Sequence, residues 1–223
     1  MKETEMFAPV KTMLLEEMAC DEVYGEIANF DVVGFCGPAD IVVEMKTALN
    51  FKVIEQAYRA LKYAHYVYIA VPKPKSSHRF IYHEMLAPKG IGLVYVGKDW
   101  VTGEDRYIAE VSHQARFNHL AVQANLKRHE NAYTLRGQIT EWSNKNIGGS
   151  KSGETITDYS ETIRKVKEFL AINGWSTLQQ ILDNCETHYA NPEPSLRATL
   201  HQPWNKSWIE SKKDERTVFY KIK

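Results

Sequence analysis

The sequence has little of three features that would point directly to a function. Its 28 basic and 28 acidic residues cancel, so no overall positive charge indicates a nucleic-acid-binding protein. No apolar run approaches the length of a membrane span, and the N-terminal stretch MKETEMF is charged and has no apolar signal core. We therefore expect a cytoplasmic protein without a membrane partner, in which DNA contact depends on local basic patches or on a metal ion.

Cysteine is also scarce. The three cysteines, Cys20, Cys36 and Cys185, are odd in number and widely spaced. This pattern predicts neither a disulfide framework nor a zinc site.

The remaining composition is that of an ordinary globular protein, with 43% apolar and 25% charged residues. A chain of 223 residues fits one large domain or a medium domain with a small one. The pattern along the chain predicts a domain over 1–110, a connecting helix and linker over 111–158, and a small domain over 159–223. Strand–helix–strand order after a leading hairpin indicates an α/β fold with a mixed sheet flanked by helices.

Residues 30–72 read as strand, tight turn, strand, helix and strand, and three charged residues interrupt the apolar strands. Glu44 and Lys46 are two positions apart, so both side chains lie on one face of their strand. The turn at Gly37-Pro38-Ala39-Asp40 folds the preceding strand back and brings Asp31 to the same level. Because burial of an unpaired charge is costly, we expect this trio to have a function.

Two carboxylates beside an ammonium group suit metal-dependent hydrolysis of a phosphodiester. Carboxylate oxygens bind Mg²⁺ or Mn²⁺, and Mg²⁺ often uses only one or two of them together with waters and phosphate oxygens. We therefore predict Asp31 and Glu44 as metal ligands and Lys46 as the group that orients the attacking water or stabilises phosphate charge. Gln56, about two turns into the next helix, is predicted to assist in positioning.

The spacing Asp31…Glu44-Met45-Lys46, followed by an amphipathic helix and an apolar strand, resembles the PD-(D/E)XK nuclease superfamily. The stretches APVKTMLLEEM, VYGEIANFDVV, VVEMKTALNFKVIEQAYRAL, VYIAVP and GIGLVYV are similar to an uncharacterised bacterial family of PD-(D/E)XK phosphodiesterases. The segment NIGGSKS at 146–152 is weakly similar to that family as well. The resemblance implies a restriction-endonuclease-like core with Asp31 and Glu44 as metal ligands, Lys46 as the catalytic lysine and Gln56 as the glutamine that often follows.

A first-helix acid sometimes joins the metal site in this superfamily. The apolar spacing predicts the first helix over 8–19, which makes Glu16 and Glu17 candidates. Glu26, in the short strand VYGEI, is a third candidate, and the sequence leaves the choice among the three open.

Basic residues follow the core motif in a loop at 72–79, where Lys73, Lys75 and Arg79 either contact phosphate or are simply solvated. Further along, residues 115–132 read as a helix with Phe117, Leu120 and Ala124 facing inward. The polar, glycine-rich stretch at 143–160 reads as a loop or linker.

The last part of the chain predicts three helices followed by a β-hairpin with a charged turn, an order that resembles a winged helix-turn-helix. From residue 160, ten basic against eight acidic residues leave a charge of only +2, a weak electrostatic footprint for DNA. If the module binds DNA, the expected contacts are Arg197, Lys206, Lys212, Lys213 and Arg216. The alternative is that it mediates dimerisation or packs on the nuclease-like core.

Three functions are compatible with these residues. The first is a metal-dependent endonuclease that uses Mg²⁺ or Mn²⁺, acts on DNA and possesses a winged-helix module; cutting both strands would favour a homodimer. The second is a non-enzymatic DNA- or protein-binding factor that retains a nuclease fold. The third treats the charged trio as a structural salt-bridge cluster, which ranks last because a buried cluster gains little net stability.

Overall fold

A six-stranded mixed sheet forms the centre of the first of two units in the computed structural model. The structure describes residues 1–99, 106–128, 134–150 and 155–223. The first unit runs over Met1–Thr155 and the second over Ile156–Lys223. The boundary expected at residue 110 therefore does not separate two units, and residues 111–155 belong to the first.

The strands of this sheet lie in sequence order. They are β1 (Glu22–Ile27), β2 (Phe30–Cys36), β3 (Ala39–Met45), β4 (Tyr66–Pro72), β5 (Gly92–Lys98) and β6 (Tyr107–His113). Strands β1 to β3 are antiparallel neighbours, β3 to β5 are parallel, and β6 is antiparallel to β5. The α/β class with a mixed sheet flanked by helices is thus as predicted.

One helix packs on each face of the sheet. Helix α1 (Glu3–Glu16) buries Met6, Val10 and Leu14 against the face that carries Val43 and Met45. Helix α2 (Phe51–Ala60) buries Val53 and Ala57 on the opposite face. The alternation of side chains along β3 separates these two cores.

Short helical segments complete the first unit. A helical stretch follows β4 and consists of α3 (Arg79–Ile81), a π-helical turn (Tyr82–Leu86) and a 3-10 turn (Ala87–Lys89). Helix α4 (His119–Arg128) follows β6, and two 3-10 turns cover Arg136–Gln138 and Ser143–Lys145. Arg136 donates to Asp40 Oδ1 at 3.2 Å and to the Gly37 carbonyl at 2.6 Å, so this late segment packs on the β2–β3 turn.

Helix α1 begins five residues earlier than predicted. Its first turn is stabilised by the Glu5 side chain, which accepts from the Lys2 backbone N–H at 2.6 Å. Met6 and Phe7 are buried, so tertiary packing extends the helix across Pro9, which lies inside it rather than in its first turn.

The inward face predicted for the helix at 115–132 is wrong. Phe117 precedes α4 and is 53% exposed, and Leu120 is 80% exposed, whereas Val122 is buried. Ala124 is exposed as well. The predicted helix extends to residues 129–132, which lie outside the described residues.

The number and spacing of the cysteines predicted no disulfide framework, and this prediction missed one pair. Cys20 and Cys36 form a disulfide with a Cα–Cα distance of 4.0 Å. The pairing of β1 with β2 causes this contact, because Glu22 opposes Phe35 and the two cysteines flank that pair. Cys185 is a buried free thiol.

The second unit contains helices α5 (Asp158–Asn173), α6 (Leu178–Asn184) and α7 (Pro192–Leu200). Strands β7 (Ser176–Thr177), β8 (Ile209–Asp214) and β9 (Thr217–Ile222) form an antiparallel sheet in the order β7-β9-β8. A 3-10 turn (Pro203–Ser207) precedes β8. Val166, Leu170, Ile181, Leu196 and Tyr220 form the core of this unit.

Among the described residues, the structure contains no helix that is both long and apolar enough to cross a membrane.

Candidate active site

Three acidic residues lie in one row across the first three strands. Gly25 pairs with Val32 and Ile27 with Phe30, so Glu26 is opposite Asp31. Val32 pairs with Val43, so Asp31 is in turn opposite Glu44. Like charges directly opposite each other in an antiparallel sheet are destabilising, so the three carboxyl groups cannot all ionise without a cost in stability.

Asp31 and Glu44 are in direct contact. The Glu44 carboxyl group, which is 1% exposed, donates a hydrogen bond to the Asp31 carboxylate. Burial, the Asp31 charge and this hydrogen bond raise the pKa of Glu44 to about 9. Burial also raises the pKa of Asp31, against the opposing effect of the Met45 backbone N–H, which donates to Asp31 Oδ2 at 2.7 Å.

Glu26 lies in the left-handed region with φ of 56°, which is uncommon for a residue with a side chain and carries strain. Burial and the Asp31 charge raise the pKa of Glu26 to about 7. The backbone N–H groups of Gly149 and Ser150 oppose this shift, and the Ser150 N–H donates to Glu26 Oε1 at 3.0 Å.

A glycine-rich segment at 146–150, which we name the glycine segment, lies against these strands. A Cβ at Gly148 would lie 2.3 Å from the Asp31 carbonyl oxygen, and one at Gly25 would lie 2.5 Å from Gly148 N. Gly149 has φ of +75° and lies against Glu3. The sequence predicted a loop or linker here, and its weak family resemblance was the only signal that it belongs near the acids.

Lys46 follows β3 directly and forms an ion pair with Glu3 of α1, with 2.6 Å between Nζ and Oε2. The side chains are 18% and 24% exposed, so water only partly screens the pair. The charge of Lys46 also lowers the pKa values of Asp31, Glu44 and Glu26. One ammonium group thus acts on all the acids of the row.

The first-helix acid beside the site is therefore Glu3, which lies before the helix predicted from the sequence. Glu16 and Glu17, at the other end of α1, are exposed and line a groove with Tyr107 and Ile108 of β6. Glu3 was missed because the apolar spacing that revealed the helix begins only after it.

Two buried side-chain oxygens have no hydrogen-bond partner among the described residues, Glu44 Oε2 and Gln56 Oε1. Gln56 lies on α2, which packs on the sheet face that carries Val42 and therefore Glu44. An unsatisfied buried carboxyl oxygen is costly, and carboxylate oxygen is the ligand that Mg²⁺ prefers. The residues thus fit a divalent cation, although the described residues contain no group of three or more His, Cys, Asp or Glu side chains that could hold one.

The predicted phosphate-contacting residues of the first unit differ in their surroundings. Lys73 is engaged with Glu110, with 2.8 Å between Nζ and Oε2. Lys75 and Arg79 are exposed. His78 between them holds the segment in place, because its backbone N–H donates to the Tyr95 hydroxyl at 3.3 Å.

The predicted DNA contacts of the second unit lie on α7, the turn before β8 and the hairpin. Arg197 is paired with Glu193 at 2.7 Å, and the Lys212 ammonium lies 4.5 Å from the Trp175 ring centre. The three others, Lys206, Lys213 and Arg216, are exposed.

Comparison with known proteins adds no relative to this description: the chain matches no protein-family model, no curated protein and no solved structure.

Proposed function

We propose that the first unit is a metal-dependent phosphodiesterase that hydrolyses DNA. The observation that carries the proposal is the row Glu26–Asp31–Glu44 with Lys46 beside it. Acids this close and partly buried cannot all ionise without a cost in stability unless a cation neutralises them, and groups with such perturbed pKa values concentrate at functional sites.

The sheet arrangement supports the proposal. The acids lie on an antiparallel hairpin, and the chain then crosses through α2 to a parallel strand. This is the order of elements that the resemblance to PD-(D/E)XK nucleases implies. The resemblance rests on these elements and on the D…ExK spacing.

Each residue of the site has its own role in the proposed reaction. A bound Mg²⁺ or Mn²⁺ would supply polarisation of the scissile phosphate and activation of a water molecule. Asp31 and Glu44 would hold the cation through their carboxylate oxygens, and its binding would release to solvent the proton that Glu44 shares with Asp31. Lys46 stabilises the charge that grows on the phosphate, Glu3 holds Lys46 near the acids, and Gln56 helps to orient the water.

The second unit is proposed to be a winged helix-turn-helix that assists DNA binding or dimerisation. Its three helices, and its sheet in the order β7-β9-β8 with the β8–β9 hairpin as wing, support this assignment. Lys213 and Arg216 lie near the exposed tip of that hairpin.

The second candidate function is a DNA- or protein-binding factor that retains this fold without catalysis. One observation favours it: Lys46 is already engaged by Glu3 at 2.6 Å, and a lysine held in this way has less freedom to act on a phosphate.

A nicking assay with Mg²⁺ or Mn²⁺, on both supercoiled plasmid and single-stranded circular DNA, separates the two functions. The wild type is expected to nick DNA, and Lys46→Ala is expected to be slower by roughly 100-fold or more, because it removes a charge that acts on the transition state. Lys62→Ala is the matched control, since Lys62 is exposed and follows the end of α2, at the opposite edge of the sheet.

The outcomes have distinct meanings. Absence of nicking by the wild type favours the binding factor. Nicking that survives Lys46→Ala contradicts the assignment of the site, and an equal loss in Lys62→Ala contradicts the role of Lys46.

A further inference from the structure

Two phenylalanines are exposed to an unusual degree in the first unit. Phe51 and Phe80 are each 78% exposed, more than any other aromatic side chain among the described residues. Exposure of an apolar ring of this size to water is unfavourable, and neither ring belongs to the cores of the unit.

The topology brings both rings to the edge of the sheet where the acids lie. Strands β3 and β4 are parallel, so the segments that leave their carboxyl ends begin at the same edge. Phe51 is the first residue of α2, which leaves β3 shortly after Glu44 and Lys46, and Phe80 lies in α3, which leaves β4.

Both segments also lie on the same face of the sheet. Val53 and Ala57 of α2 share one core with Leu86, and Tyr82 and Met85 pack against it. The Tyr58 hydroxyl of α2 donates to the Met85 carbonyl at 2.6 Å, which links the two segments. Glu44 shares the strand face of Val42 in this core, so the rings lie on the same face as Glu44.

Each ring has an exposed cation as its chain neighbour: Lys52 follows Phe51 and Arg79 precedes Phe80. Neither cation forms an ion pair with a described residue, unlike Lys46 and Lys73. Aromatic rings interleaved with cations are the combination by which proteins bind single-stranded nucleic acid, through base stacking and phosphate contacts.

We infer that Phe51 and Phe80 form a stacking surface for unpaired bases, with Lys52 and Arg79 on the flanking phosphates. The inference rests on the proposed function and narrows its substrate to single-stranded DNA or DNA with unpaired bases. A stacked base holds the strand beside the acids. A closed duplex offers no free base face to either ring.

The test measures binding of a fluorescein-labelled oligothymidylate to the full chain by fluorescence anisotropy, in EDTA so that no hydrolysis occurs. Phe51→Ala and Phe80→Ala are each expected to weaken binding by roughly tenfold, within the 5- to 150-fold that one stacked base contributes. Phe51→Trp and Phe80→Trp are expected to retain binding, with fluorescence of the new indole quenched by the bases.

Phe117→Ala is the matched control, because Phe117 is also exposed but packs on His65 and Tyr66, at the opposite edge of the sheet. It is expected to leave oligothymidylate binding unchanged. Binding of a labelled duplex of the same length is expected to be insensitive to Phe51→Ala and Phe80→Ala.

Three results would overturn the inference. The first is unchanged oligothymidylate binding by both alanine variants, and the second is an equal loss of affinity for duplex and single strand. The third is a wild-type dimer in sedimentation that Phe51→Ala or Phe80→Ala converts to monomer. The last result would assign the rings to an interface between copies of the chain. If the alanine variants lose oligothymidylate binding but the wild type does not nick DNA, only the proposed hydrolysis is refuted. If nicking depends on Lys46 but Phe51→Ala and Phe80→Ala bind oligothymidylate as the wild type does, only the inference about the rings is refuted.

Discussion

At the scale of single residues, the site consists of groups that destabilise one another. Glu26, Asp31 and Glu44 are opposite one another across three strands, and each has a raised pKa. Lys46 offsets part of this repulsion, and Glu3 competes for the same ammonium group. An arrangement that lowers stability yet brings chemically suitable groups together is typical of a functional site.

The substitution Glu44→Gln tests how far ionisation of the acid row lowers the free energy of unfolding. An acid whose pKa rises on folding, here from 4.5 to about 9, holds its proton more tightly in the folded state. In metal-free buffer, the free energy of unfolding is therefore expected to fall as pH rises through this interval, by up to about 1 kcal/mol per pH unit. Chemical denaturation across that range is expected to show this slope in the wild type and a much smaller one in Glu44→Gln.

The control for this experiment is Glu84→Gln, which changes an exposed glutamate of the same unit. It is expected to keep the wild-type slope. A Glu44→Gln slope equal to that of the wild type would show that Glu44 ionises normally. It would contradict the claim that ionisation of Glu44 in the acid row lowers stability.

At the scale of elements, the glycine segment at 146–150 depends on the absence of side chains. Gly148 lies so close to β2 that a Cβ would also meet Phe7 at 2.8 Å and Met45 at 3.0 Å. The same segment brings the Ser150 N–H to Glu26. Its position therefore links α1, β2 and β3 to the acid row.

Gly148→Ala is expected to lower the free energy of unfolding by about 1–3 kcal/mol, because a backbone oxygen and a buried ring must shift to admit the methyl group. Loss of the Glu26 contact is expected to reduce nicking as well. Gly137→Ala, whose Cβ would meet only the Thr134 hydroxyl at 3.1 Å, is the control. Equal stability of the two variants in urea denaturation would contradict the packing described for the glycine segment.

The elements also show what the sequence could predict. Apolar runs such as YVYIAVP and the spacing of Val53, Ile54 and Ala57 predicted β4 and α2, because their burial follows from local pattern. The same reasoning predicted the wrong buried face for α4, because its spacing suggested burial of Leu120 whereas the unit buries Val122. Local periodicity does not reveal which face a neighbouring element covers.

At the scale of the whole molecule, the zero net charge conceals a local concentration of charge. The acid row and Lys46 lie at one edge of the first sheet, and exposed cations such as Lys75 and Arg79 begin the segment after β4. The convergence of Asp31 and Glu44 was predictable because one short hairpin fixes it. Glu3 and the glycine segment come from distant parts of the chain, so only the folded structure brings them to the site.

The most direct test of the central claim is Mn²⁺ binding by the full chain, followed by electron paramagnetic resonance of the free ion. The wild type is expected to bind Mn²⁺, and Asp31→Asn, which can still accept from the Met45 N–H, is expected to bind at least roughly tenfold more weakly. Glu16→Gln, at the exposed end of α1, is expected to match the wild type. Equal Mn²⁺ affinity of Asp31→Asn and the wild type would contradict the account of the acid row as a metal site.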